Sequence, residues 1–319
     1  MTKRALILGV GGQDGSFLAD LLLEKGYEVH GLYRRSSHDN LKRIAHCRDR
    51  ITLHQGDITD RGSVFAALRD SCPDEVYNEA DQDHIGWSYR IPELSWDVTF
   101  KAVATLLEEA RGFNPGSIRV FQPVSSTVFG NAPPPQDEHT PLNPMSPYAV
   151  TKAAAWHVCR YYRRVHRMYV SVGIMYNHDS PRRCNQGYLL HELVEKARDV
   201  ASGKVHTLTV GDPDAVVDVG YAKEYMEAAW LSLQQPESGD YVVCSGQSST
   251  VHSAAVEALV QVGVPRPRAE ETVVADGQLK RAGPRHDLVG DGGETERRLG
   301  WKARTGIPEL LSMIREGER

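Results

Sequence analysis

Arg4-Ala5-Leu6-Ile7-Leu8-Gly9-Val10-Gly11-Gly12-Gln13-Asp14-Gly15-Ser16-Phe17-Leu18 runs from an apolar segment through a glycine-rich bend into a pattern that places Phe17, Leu18, Leu21 and Leu22 on one helical face. The spacing predicts strand, turn, helix. A second apolar run, Tyr27 to Leu32, supplies the next parallel strand. The resulting β-α-β unit puts its glycines where a phosphate must approach bare backbone at a helix N-terminus. Gly9 lets the chain turn, Gly12 admits a pyrophosphate, and Gly15 lets helix and strand pack closely. The same glycine spacing also describes ordinary tight turns; its setting between two buried strands points to a dinucleotide.

The end of the second strand bears on which dinucleotide. An acidic residue there would hold a ribose 2′-hydroxyl, whereas this chain offers Arg34-Arg35-Ser36, two guanidinium groups and a hydroxyl suited to a 2′-phosphate. NADP(H) is therefore expected over NAD, the alternative being two arginines that merely face solvent. After a third strand, Ile51 to His54, Asp57 and Ile58 stand where they would clasp adenine. Asp60 reads as the N-cap of the following helix.

Composition narrows the functional classes. The chain has 319 residues and a formal net charge of −5, without the basic footprint of a nucleic-acid binder. No run approaches the roughly 18 apolar residues of a membrane span, and the N-terminus enters a strand directly, so a cytoplasmic protein is expected. The 5 cysteines are dispersed, which suits a reducing compartment, and no residue spacing suggests a metal site.

Alternation continues with a fourth strand, Glu75 to Asn78, then the loop Glu79-Ala80-Asp81-Gln82-Asp83-His84, a long helix from Asp97 to Arg111, and a fifth strand from Ile118 that leads to Ser125-Ser126-Thr127. A proline-rich connection precedes Tyr148-Ala149-Val150-Thr151-Lys152, which opens a helix to about His166. Residues four apart share a helical face, so Tyr148 and Lys152 point together. A lysine ammonium beside a phenol lowers its pKa and makes it a usable acid or base. Tyr-x-x-x-Lys is common by chance; its place after the fifth strand, with the hydroxyls of Ser125, Ser126 and Thr127 upstream to meet a substrate, supports the catalytic reading. A sixth strand, Val170 to Met175, delivers Asn177 at its end. The fold class is α/β, a doubly wound Rossmann-type parallel sheet. Residues 1–175 form the dinucleotide domain; residues 176–319 mainly form a smaller substrate domain, with some segments returning to the sheet.

These motifs, with Asn177-His178-Asp179-Ser180-Pro181-Arg182-Arg183 and Leu299-Gly300-Trp301-Lys302, resemble the extended short-chain dehydrogenase/reductases, and among them the GDP-mannose 4,6-dehydratases, over nearly the whole length. The resemblance implies NADP in the N-terminal domain, contacted also by Gln13 and Asp14, and a nucleoside-diphosphate sugar in the C-terminal one. It implies Ser125, Tyr148 and Lys152 as the hydride-transfer set, Arg183 near the cofactor and Asn177 near the sugar diphosphate. Arg281 and Arg285 fall where the family grips the diphosphate, or are solvated loop charges. The family's helix pairing implies a homodimer or homotetramer, with Trp156 and Tyr161 available for that packing or for the core.

The departures carry as much information. Thr127 stands where the dehydratases carry the glutamate that removes the C5 proton, and a threonine hydroxyl is no such base unaided. Val217, Val219 and Glu192 replace residues expected at the nucleotide. Asp81 and Asp83 replace small residues, and a carboxylate beside a pyrophosphate is costly unless paired or used. Asp83, with His84, is read as touching substrate and supplying acid–base chemistry, or else as facing water or pairing with an arginine. The expected activity is hydride transfer at sugar C4, as epimerase or ketoreductase. The alternatives are 4,6-dehydration with a substitute acid, and a non-catalytic NADP-binding protein.

Overall fold

Ala5, Leu6, Ile7 and Leu8 are fully buried, covered by helices on both faces, as a parallel strand at the centre of a doubly wound sheet must be. The computed structural model describes residues 2–113, 118–183, 187–279 and 287–317. Its first part comprises β1 (Arg4–Leu8), α1 (Gln13–Glu24), β2 (Glu28–Tyr33), β3 (Ile51–Gln55), α2 (Arg61–Ser71), β4 (Glu75–Asn78), α3 (Ile85–Arg90), α4 (Pro92–Ser95), α5 (Ala102–Phe113), β5 (Arg119–Ser125), α6 (Pro147–Val165) and β6 (Tyr169–Met175). There follow β7 (Asn177–Asp179), α7 (Leu189–Ala201), β8 (Leu208–Val210), β9 (Val216–Tyr221), α8 (Ala222–Gln234), β10 (Asp240–Val243), β11 (Ser248–Thr250), α9 (Val251–Gln261), α10 (Arg266–Thr272), β12 (Val273–Ala275), α11 (Gly293–Leu299) and α12 (Ile307–Glu316).

Seven parallel strands form the main sheet in the order β10-β6-β5-β4-β1-β2-β3. The order reverses between β1 and β4, and open α/β sheets bind ligands above such a switch point. One face is covered by α2, α5 and α6, with Leu68, Leu107 and Trp156 in its core; the other by α1 and α8, with Leu18, Tyr225 and Met226. A third cluster joins α7, α9 and α12 around Leu193, Leu259 and Leu310 and supports the small sheets β11-β9-β7 and β12-β8. No described helix is long and apolar enough to cross a membrane.

Local chemistry sets several boundaries. Asp60 caps α2, its carboxylate accepting from the Ser63 amide at 2.8 Å. Ser146 caps α6 in the same way, with Pro147 in the first turn where its missing N–H is no loss. One expectation changes. The helix expected from Asp97 starts with Pro92 and passes through a π-helical turn, Trp96–Lys101, before α5.

Trp156 is core rather than an interface residue. It is 1% exposed, edge-on to Phe129 with ring centroids 6.4 Å apart, whereas Tyr161 on the same helix is 49% exposed. Trp156→Ala is expected to lower unfolding free energy by about 3–5 kcal/mol in urea titrations; a loss below about 1 kcal/mol would contradict the packing described.

Candidate active site

Above the ends of β1, β2 and β4 lies a cleft of about 300 Å³, lined by Gly9, Gly12, Leu32, Arg34, Asp57, Ile58 and the segment Glu79 to Gln82. Gly9 has φ +82°, and a Cβ there would sit 2.8 Å from the Glu79 carbonyl. The glycine turn is thus pressed against the end of β4. A Cβ on Gly15 would lie 2.3 Å from the Gly9 oxygen, so the helix starts directly on the turn. Arg34, Arg35 and Ser36 are exposed at the end of β2, and neither arginine makes an ion pair among the described residues. Asp57 already accepts from the Thr59 amide at 2.9 Å and hydroxyl at 2.7 Å through Oδ1, which leaves Oδ2 for a ligand. A side-chain-free turn at a helix N-terminus, beside an uncommitted guanidinium, fits a phosphate-bearing dinucleotide.

The hydroxyls and the lysine meet where β5 passes into α6. Thr127 donates to Ser125 Oγ at 2.9 Å, and the Ser125 hydroxyl acts in turn on the Tyr148 phenol, favouring its ionised form. Ser126, between them, opens a short 3-10 turn and is 1% exposed. Lys152 Nζ lies 5.7 Å from the Tyr148 ring centroid, donates to the Pro123 carbonyl at 3.0 Å, and pairs with Asp81 Oδ2 at 2.6 Å. This corrects the expectation of a lowered phenol pKa. Burial, followed by the charges of Asp81 and Asp83, pushes Tyr148 well above its ordinary value, since the ammonium is already engaged by Asp81.

The acidic loop is therefore partly structural. Asp81 also accepts from the Thr99 hydroxyl, which ties the loop to the π-helical turn. Asp83 accepts from Tyr188 Oη at 2.8 Å and lies 3.5 Å from an Arg183 nitrogen, its side chain 56% exposed. His84 caps α3, its Nδ1 accepting from the Trp87 amide at 3.2 Å, so that nitrogen is not free for substrate. Glu79 was not singled out by sequence, although it begins the alternating acids. Its Oε1 is sealed from solvent without a hydrogen-bond partner.

A second group of contacts joins α1 to β7 and the turn after it. His178 Nδ1 faces the Tyr176 carbonyl at 2.8 Å and its Nε2 faces Asp14 at 3.0 Å. Both partners only accept, so both ring nitrogens donate and the ring is an imidazolium. Burial opposes that charge, yet Asp14 raises the histidine pKa, and the carboxylate itself falls to about 2. Gln13 accepts from Ser180 at 2.7 Å. Arg183 pairs with Asp179 at 3.2 Å and covers the Tyr188 ring. Asn177 is exposed, opposite Val219 in the small sheet. Arg281 and Arg285 lie outside the described residues.

A family model described as GDP-mannose 4,6 dehydratase matches residues 6–314. "GDP-mannose 4,6 dehydratase 1" of Arabidopsis thaliana is 38% identical over 324 residues, spanning 98% of this chain and 88% of the relative. Among solved structures, UDP-glucose 4-epimerase from Thermotoga maritima, crystallised with UDP-glucose, superposes with a TM-score of 0.83 at 20% identity over 98% of this chain and 97% of that one. RMD from Pseudomonas aeruginosa, complexed with NADPH, gives 0.78 at 21% identity over 98% of each chain. At these identities the structures speak for the shared fold.

Asp14→Asn should lower stability by about 2 kcal/mol. The gap to the parent should be widest between the ordinary carboxylate value of 3.8 and the ordinary histidine value of 6.5. It should narrow as pH falls toward about 2, where Asp14 gains its proton, and as pH rises through the elevated His178 value, where the ring loses its charge. Melting temperatures of both proteins across pH 4–9 test this, and parallel curves would contradict it.

Proposed function

Because the chain belongs to the GDP-mannose 4,6 dehydratase family, and so is an enzyme of the nucleotide-sugar epimerase/dehydratase type, we propose that it acts on a nucleoside-diphosphate sugar by hydride transfer at C4, as an epimerase or ketoreductase using NADP(H). The observation that carries this reading is the hydroxyl cluster of Ser125, Thr127 and Tyr148, in which the position available to a C5 base is occupied by Thr127, itself donating to Ser125. A threonine hydroxyl does not remove a carbon-bound proton. When bound, the nicotinamide would supply the hydride acceptor or donor. Ser125 would hold the C4 oxygen, and the Tyr148 phenol would move its proton. A phenol held protonated is ready as an acid, which favours delivering a proton to a C4 ketone. Arg34 and Arg35 would take the 2′-phosphate of NADP, and Lys152 would orient the reactive end. Exposed Val150, Tyr161 and Val165 on α6 support packing against a second copy in a homodimer or homotetramer. The free thiols suit a cytoplasmic protein.

One observation favours a second reading, 4,6-dehydration. The Asp83 carboxylate acts electrostatically on the Tyr148 phenol, so a second acid stands in the same site and would take the role of the missing glutamate. Incubating the enzyme with NADP(H) and GDP-, UDP- and dTDP-hexoses, and with NADPH and the 4-keto derivatives of these sugars, separates the two. A 4-epimer or a reduced 4-keto sugar is expected. A 4-keto-6-deoxy product that disappears in Asp83→Asn would establish the second reading and overturn the first. Tyr148→Phe should lower turnover at least about a hundredfold while leaving dinucleotide binding intact. Arg34→Ala should weaken NADPH binding about tenfold with little effect on NADH, as nucleotide titration would show.

A further inference from the structure

Three carboxylates, Asp14, Glu79 and Asp81, lie around the glycine turn, and among the described residues only two of them are ion-paired, Arg43 donating instead to the Gly11 carbonyl at 3.0 Å. His178 is engaged by Asp14 at 3.0 Å and Lys152 by Asp81 at 2.6 Å. Glu79 makes no ion pair among the described residues, and its Oε1 is sealed from solvent with no hydrogen-bond partner. The residue nevertheless lines the cleft beside Gly9 and Gly12. An ionised carboxyl so placed would be buried without an ion pair of its own, and it would face the phosphates of any dinucleotide drawn to the turn. Both conditions are expensive. They vanish if the group keeps its proton, which also turns an acceptor-only group into a donor.

Resting on the dinucleotide reading above, we infer that Glu79 enters the cofactor complex as the neutral acid, donating its O–H to an oxygen of the dinucleotide's phosphate–ribose backbone, so that binding above neutral pH takes up a proton from solvent. The groups that act on the carboxyl are Asp14 on α1, Tyr77 on β4, Asp81 in its own loop, Lys152 on α6 and His178 on β7, with Arg34 and Asp57 lining the same cleft. Burial and then Asp14 push Glu79 up to about 8, against the weaker pull of His178 and Lys152. Affinity should be full below that value and decline as pH rises through it.

NADPH affinity measured by fluorescence titration at pH 7, 8 and 9 tests this, with calorimetry at pH 9 in two buffers of different ionisation enthalpy to count protons. The parent should bind about tenfold more weakly at pH 9 than at pH 7 and take up close to one proton at pH 9. Glu79→Gln, a neutral donor of the same shape, should bind at pH 7 within a few-fold of the parent, with a flat pH profile and no proton uptake. Glu79→Leu, neutral without a donor, should be flat and weaker throughout. If the parent binds equally well at all three pH values, or takes up no proton, the inference is overturned even where neither variant folds. If Glu79→Gln keeps the parental slope, the titration belongs to His178 and the inference is again overturned. Saturable, pH-indifferent binding overturns this inference alone; absence of binding at every pH overturns the dinucleotide reading with it.

Discussion

Lys152 and Asp81 meet at 2.6 Å where β4, β5 and α6 converge, and the character of the cleft follows from that pair. The ammonium lies 5.7 Å from the Tyr148 ring centroid. Engaged by Asp81 and by the Pro123 carbonyl, it leaves the phenol to burial and to the surrounding carboxylates, all of which favour the protonated form. The same engagement leaves Glu79 only the weaker, longer-range attraction of Lys152. The ion pair thus adds to the effect of burial on two groups of the site, Tyr148 and Glu79.

The second constraint is the seam between α1 and the chain that follows β6. Asp14 to His178 and Gln13 to Ser180 tie the helix that opens the glycine turn to β7 and the turn after it, and Arg182 pairs with Asp20 farther along the same helix at 2.7 Å. These contacts hold the phosphate-facing turn against the segment that carries Asn177 and Arg183. The geometry of the two halves of the site is thus set by one helix. Away from it, Asp218 is 1% exposed and accepts from the Ser245 amide and hydroxyl at 2.8 and 2.6 Å. It organises the small lobe from inside rather than facing the cleft.

Much of the architecture was legible in the chain. Buried parallel strands are continuous apolar runs, and glycine, proline and capping side chains mark where each begins or ends, so β1 through β6 and the cap at Asp60 follow from local chemistry. The glycine turn, the arginines after β2 and the Tyr148–Lys152 spacing are equally local. Less legible were Trp156, whose helical face suits either a core or an interface, and the start of the helix at Pro92, where a π-helical turn shifts the register of the apolar pattern. His84 illustrates the same limit: its role as a cap depends on the fold of the three residues after it.

The order of residue types along the chain determined the doubly wound sheet, the place of its ligand cleft and the set of groups around it. The tertiary structure alone decided which charges neutralise which. Asp14 and His178 are 164 positions apart, and Asp81 and Lys152 belong to different elements, yet each pair is in contact. Ionisation depends on distance, burial and the partner already taken, and these quantities exist only once the strands are side by side.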